Sequence, residues 1–202
     1  MNDFFADNDW VDFSDMVEKE TDFIPLISPE DEDRMNKEEV PEKLPILPLR
    51  NNVLFPGVVI PITLGRDKSI KLIQDAYKGN KIIGVVSQKD SNIEEPQYQD
   101  LYETGTVAQI MKMLKMPDGS STIIIQGKKR LKLVGKIQDE PYLIAKIEEY
   151  NEKRLLKPSK ESLALFDSLK DLALNIIKYS PNIPSEASFA IKNIESHNFL
   201  VN

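Results

Sequence analysis

The sequence predicts an α+β chain in which a β-rich small barrel or sandwich is followed by a helical part. Three observations carry this reading. An apolar run at residues 44–66, LPILPLRNNVLFPGVVIPITLGR, is punctuated by Pro45, Pro48, Pro56 and Pro61. Strands at a sheet edge and broken by turns have this character, because proline removes a ladder hydrogen bond. Short stretches of two-residue alternation then recur at close spacing as far as Tyr150, the signature of a small all-β unit. After Lys157 and Pro158 the apolar residues switch to three- and four-residue spacing, the period of a helix.

The 202 residues suffice for one domain with accessory elements. A hydrophobic share of 41% beside a charged share of 29% fits a globular protein with polar extensions. No apolar run approaches the roughly 20 residues that span a bilayer, and the acidic N-terminus lacks the basic start of a secretory signal. The chain contains no cysteine, which rules out disulfides and thiolate metal sites and is compatible with a reducing, cytoplasmic setting.

Charge divides the chain. Residues 1–43 hold fifteen Asp/Glu against four Lys/Arg, whereas residues 44–202 hold eighteen against twenty-two. An acidic tail therefore precedes a mildly basic body. Its aromatic and aliphatic residues (Phe4, Phe5, Trp10, Phe13, Met16 and Val17) are scattered through acid. So few apolar groups do not offset an ordering cost of about 1–2 kcal/mol per residue, so residues 1–43 read as disordered, with folding on a partner as the alternative.

Along the body, Pro56-Gly57 suits the middle of a type II turn, glycine supplying the positive φ. Residues 67–78 read as a helix with Ile70, Ile73, Ala76 and Tyr77 on one face. Asp67 or Ser69 is placed to cap its start, and Gly79-Asn80 to end it in a left-handed stop. Lys81 to Ser87 is a short apolar strand, and residues 88–101 form a polar loop. A hairpin joins 103–115 to 121–127 across Met116-Pro117-Asp118-Gly119-Ser120. Separate half-buried strands follow at 130–134 and 142–150. A helix with Leu165, Leu169, Leu172 and Ile176 along it ends at Tyr179-Ser180-Pro181, and its wide apolar arc needs a cover. A second begins near Pro184-Ser185-Glu186. The apolar ending Phe199-Leu200-Val201-Asn202 reads as a chain cut short.

Catalytic signatures are weak. Gly79 and Gly84 have the glycine spacing of a phosphate-binding loop, but Val85-Val86 stand where lysine and a hydroxyl are required. His197 is the one histidine, too few for a multi-histidine metal centre. No serine is marked as a nucleophile beside a buried lysine.

Two features suit binding. Met111, Met113 and Met116 cluster beside Leu114 near the hairpin turn. Methionine adapts to varied apolar partners, and the competing role is filling the core. Alternation puts Met111 and Met113 on one face and Leu114 on the other. The charged junction Arg66-Asp67-Lys68, between strand and helix, suits loop-borne recognition or plain solvation and capping. Lys128-Lys129-Arg130 with Lys132 forms a basic cluster without interleaved aromatics, which reads as a solvated strand face and makes nucleic acid an unfavoured partner.

Pro48-Leu49-Arg50, Val53, Phe55-Pro56-Gly57, Gly65-Arg66-Asp67-Lys68-Ser69, Glu103-Thr104-Gly105-Thr106, Pro117-Asp118-Gly119 and Gly127-Lys128-Lys129-Arg130 together resemble the N-terminal domain of the Lon family of ATP-dependent proteases. The resemblance covers residues 44 to about 196. It implies a PUA-like pseudo-barrel at 44–151 and a helical subdomain at 158–202. It also implies contact with unfolded or tagged protein substrates and a share in a homo-hexamer. Downstream AAA+ and Ser-Lys protease modules would use ATP and magnesium, while this stretch would need no cofactor and cleave nothing. The alternatives are a stand-alone binding module of the same fold and an RNA-binding protein.

Overall fold

The computed structural model describes residues 11–12, 34–35, 37–115, 120–150, 159–180, 183, 187–194 and 196–201. They belong to two compact units, one of residues 1–23 with 38–150, the other of 24–37 with 151–202. Most of the predicted acidic tail lies outside the described residues, as do the turn at 116–119 and the start predicted for the second helix at 184–186. Within the tail, Val11–Asp12 form a two-residue strand, β1.

The first unit contains β2 (Lys43–Leu49), β3 (Val59–Leu64), α1 (Asp67–Lys78), β4 (Ile82–Ser87), β5 (Thr104–Lys115), β6 (Ser121–Gln138) and β7 (Ile144–Glu149). The sheet order is β1-β5-β4-β2-β7-β6-β3, and β5 also pairs with β6. That additional pairing closes β5, β4, β2, β7 and β6 into a ring, with β1 and β3 appended outside it. One apolar cluster draws on all five ring strands, with Ile46, Val86, Val107, Leu131 and Ala145 among its members, and fills the ring. A second packs Leu72 and Ile73 of α1 against Leu47, Ile83, Ile110 and Ile125. β2 and β4 have apolar residues on both faces because both faces are covered.

The proline-rich run behaves differently on its two sides. β3 is an edge strand, paired to β6 alone, with Pro61 opposite Ile124. β2, also expected at an edge, lies inside the ring. It pairs with β7 over Lys43–Pro45 and with β4 over Ile46–Leu49. Ile46 N donates to Leu143 O at 2.9 Å, so Ile46 and Pro48 face the β7 side, and Pro45 faces the β4 side. Each proline thus turns its missing donor toward an edge that is locally unpaired, and the ring tolerates both.

Phe55 to Val58 make the predicted turn, with Gly57 at φ 83° and Val58 N donating to Phe55 O at 3.2 Å. The turn is clasped to β6 by Gly57 N to Gly127 O and Gly127 N to Val58 O, both 2.9 Å. A side chain at residue 127 would collide with the Phe55 carbonyl, so glycine is required there for close approach.

Three local expectations need correction. The N-cap of α1 is Arg66, with no side-chain cap bond. The left-handed residue after α1 is Lys81 at φ 60°, whereas Gly79 has φ −95°. Residues 121–127 and 130–134 are parts of one 18-residue strand, bent by register shifts rather than interrupted. Its first half pairs with β3, and its second with β7.

The second unit contains α2 (Lys160–Tyr179), α3 (Ala187–Asn193) and α4 (His197–Val201). Ser159 caps α2, its Oγ accepting from Ser162 N at 3.1 Å. The Phe166 and His197 rings stack with centroids 3.9 Å apart, and Lys170 Nζ donates to Ile194 O at 2.6 Å. His197 is therefore a packing residue.

Candidate functional site

The charged junction opens onto a cavity of about 700 Å³ lined in part by Pro48, Arg50, Pro61, Arg66 and Glu95. Arg66 enters from the start of α1. Its Nη1 donates to Pro48 O at 3.3 Å and its Nη2 to Gln88 Oε1. Gln88 is buried, and its Nε2 donates to Asp90 O and Ile93 O at 3.1 and 2.9 Å. Arg66 thus supplies the donor that Pro48's carbonyl lacks beyond the end of β7, and it ties the 88–93 loop to the ring. Burial, followed by the charge of Arg50, pushes its pKa down against the opposing pull of Glu95.

Lys68 Nζ pairs with Glu140 Oε1 at 2.6 Å. That bond, with the carboxylate's charge, raises the Lys68 pKa against a smaller desolvation. Asp67 is exposed on the cavity wall. The three junction residues therefore have separate settings. Asp67, Glu94 and Glu95 share the cavity with Arg50 and Arg66, so it is no simple anion trap.

The methionine cluster does not keep strand alternation. The β5–β6 register shifts between Ile110 and Lys112, leaving Met111 as the extra residue of a bulge. Met111 is 48% exposed, and Met113, two positions on, is 5% exposed in the core against α1 and β6. The shared face expected for Met111 and Met113 is thereby lost. Leu114, 2% exposed, packs with Ile124 and Val59. Met116 lies outside the described residues. Of this set, Met111 offers side-chain surface, and Met113 and Leu114 are core residues.

The larger apolar surface is on α2. Leu165, Leu172 and Ile176 are 66%, 61% and 60% exposed, with Leu169 also exposed between them. Their spacing of four, three and four residues puts them on one stripe. The periodicity was legible in the sequence, but which arc the neighbouring helices cover was not.

Two lysines of the basic cluster on β6 are ion-paired. Lys128 Nζ lies 3.6 Å from Glu38 Oε2, and Lys129 Nζ lies 3.2 Å from Glu149 Oε1. Arg130 lies over the Phe55 ring at 5.7 Å. The Lys128 and Lys129 side chains are only 13% and 12% exposed, so the solvated strand face expected here is instead an ion-paired and largely covered one. Among the described residues, no group of three His, Cys, Asp or Glu could hold a metal ion, and no helix is long and apolar enough to cross a membrane.

The family model described as the ATP-dependent protease La (LON) substrate-binding domain matches residues 43–202. Over 185 residues the chain is 59% identical to the Lon protease of Flavobacterium johnsoniae, covering 92% of this chain and 23% of that protein. Over 179 residues it is 53% identical to the Lon protease of Cytophaga hutchinsonii, covering 89% and 22%. The chain therefore spans less than a quarter of the length of these relatives. Its fold is similar to that of the N-terminal domain of the Mycobacterium avium complex Lon protease, with a TM-score of 0.62 at 18% identity over 78% of each chain.

Proposed function

The chain belongs to the Lon substrate-binding domain family, and on that premise we propose that it captures unfolded or tagged polypeptides by weak apolar contact and delivers them for ATP-dependent proteolysis. Family membership carries the substrate-binding role. The observation that favours apolar capture is the exposed stripe Leu165, Leu169, Leu172 and Ile176 on α2, a large uncovered hydrophobic surface of the kind that marks interaction sites. Met111 supplies a second, smaller contact on the β unit. Misfolded and regulatory proteins expose the segments such surfaces bind.

The proposed working assembly is a homo-hexamer in the cytoplasm. AAA+ modules hydrolysing ATP with magnesium, and a serine protease module with a Ser-Lys pair, would pull and cleave what this domain holds.

The test is fluorescence anisotropy of a labelled, permanently unfolded protein, carboxymethylated lactalbumin, titrated with the 202-residue chain. Leu165→Ser with Leu172→Ser is expected to weaken binding several-fold while leaving the thermal midpoint nearly unchanged, since both side chains are already in solvent. Unchanged affinity would remove α2 from the capture surface. Absence of binding by the unsubstituted chain would overturn capture itself.

A further inference from the structure

We propose that the outer edge of β5 at Met111–Lys115 is a strand-addition site for an extended segment of the client polypeptide, and that β1 occupies it in cis as a competitor. The proposal rests on the capture reading above and names a site for it.

The edge is a consequence of the ring. β4 pairs with β5 only from Thr106 to Gln109, and the last ladder contact on that side is Ile110 N to Lys81 O at 2.8 Å. Beyond that point β6 continues on the other side of β5 as far as Lys115. The outer side of Met111–Lys115 therefore has no ring strand as a partner. An open edge of this kind is a template for another extended chain. The bulge at Met111 marks where the edge parts from β4 and turns an adaptable side chain outward.

The structure already seats a strand there. Val11 is in register with Leu114, and Asp12 with Lys115, in a parallel pair. The seated residues lie in the sequence DNDWVDFSD at 7–15, which alternates acid with Trp10, Val11 and Phe13. The edge carries Lys112 and Lys115. Aromatic and branched residues favour extended pairing, and the opposite net charges of the acidic segment and the lysine-bearing edge, read from the sequence, favour their association. A client segment of the same character, with an aromatic or branched residue flanked by carboxylates, fits the same edge. Among the described residues the cis strand makes two register pairs, and a client segment that pairs along all of Met111–Lys115 can displace it. Its tether nevertheless presents it at an effective concentration on the order of millimolar, which lowers the apparent affinity of clients.

Because the chain has no cysteine, D12C/K115C introduces a unique pair. Neighbouring strands lie about 4.8 Å apart, within the Cα separations that disulfides span. The probe is the same labelled carboxymethylated lactalbumin. Oxidation is expected to form the disulfide and weaken probe binding at least tenfold, with reductant restoring it. V11P with D12P, which removes the donors of the cis strand, is expected to strengthen binding severalfold. Equal binding by oxidised and reduced D12C/K115C would overturn the edge site while leaving capture intact. Failure of the disulfide to form would overturn the seating of β1 and the proposal with it. Failure of the probe to bind the unsubstituted chain, the reduced pair and the proline variant would instead overturn the capture reading.

Discussion

The guanidinium of Arg66 donates to the backbone carbonyl of Pro48. One side chain thereby takes over where proline and the end of β7 leave the ladder of β2 incomplete. The second arm of the same guanidinium holds Gln88, and through it the loop that follows β4.

Arg66→Lys is expected to destabilise the first unit by about 1–3 kcal/mol, because an ammonium does not reproduce the two-armed geometry and leaves a buried acceptor unpaired. Urea denaturation with an unchanged m-value would measure it. A change within about 0.5 kcal/mol, the usual range for surface substitutions, would show the contact to be dispensable.

Met113→Ala and Met111→Ala should separate cleanly. Met113 is in the core, so its truncation is expected to cost about 2–5 kcal/mol. Met111 is on the bulge and should change stability by less than about 0.5 kcal/mol. Equal losses in thermal denaturation would contradict the register described for β5.

Gly127→Ala places a methyl against the Phe55 carbonyl. Overpacking of this kind costs about 1–3 kcal/mol, and here it would open the clasp between the 55–58 turn and β6. Loss of amide-exchange protection at Gly57 and Gly127 is the expected sign, ahead of any global unfolding.

The Lys68–Glu140 pair gives a pH dependence of known sign. Lys68 has a raised pKa in the fold, chiefly through its bond to Glu140. Its contribution is therefore fully present below the unfolded-state lysine pKa and is lost as pH rises through the raised one. Glu140→Gln is expected to move the Lys68 titration, followed by NMR of its ε-methylene, to lower pH. An unmoved titration would mean that the pair does not persist in solution.

Much of the fold was legible because local chemistry and tertiary structure agree. The type II turn at Pro56-Gly57 and the burial of Leu143, Ala145 and Ile147 needed only turn geometry and alternation. The rest depended on partners distant in sequence. Pro45 and Pro48 look like edge residues until the switch from β7 to β4 shows that each meets a gap. Met111 and Met113 look equivalent until one extra residue in β5 breaks the alternation. Residues 128–130 look like a basic patch until Glu38, from the bend before β2, and Glu149 of β7 arrive beside them. The site was least legible on α2, where the spacing identified an apolar arc without revealing which part would stay uncovered.

Ring closure also sets an order of events during synthesis. β2 is paired on one side by β7, about a hundred residues later in the chain, and at roughly 5–20 residues per second the ribosome needs several seconds or more to supply it. Throughout that interval Leu44 and Ile46 have no β7 to cover them. The nascent barrel is then itself an unfinished apolar chain, of the same kind that we propose the completed domain captures.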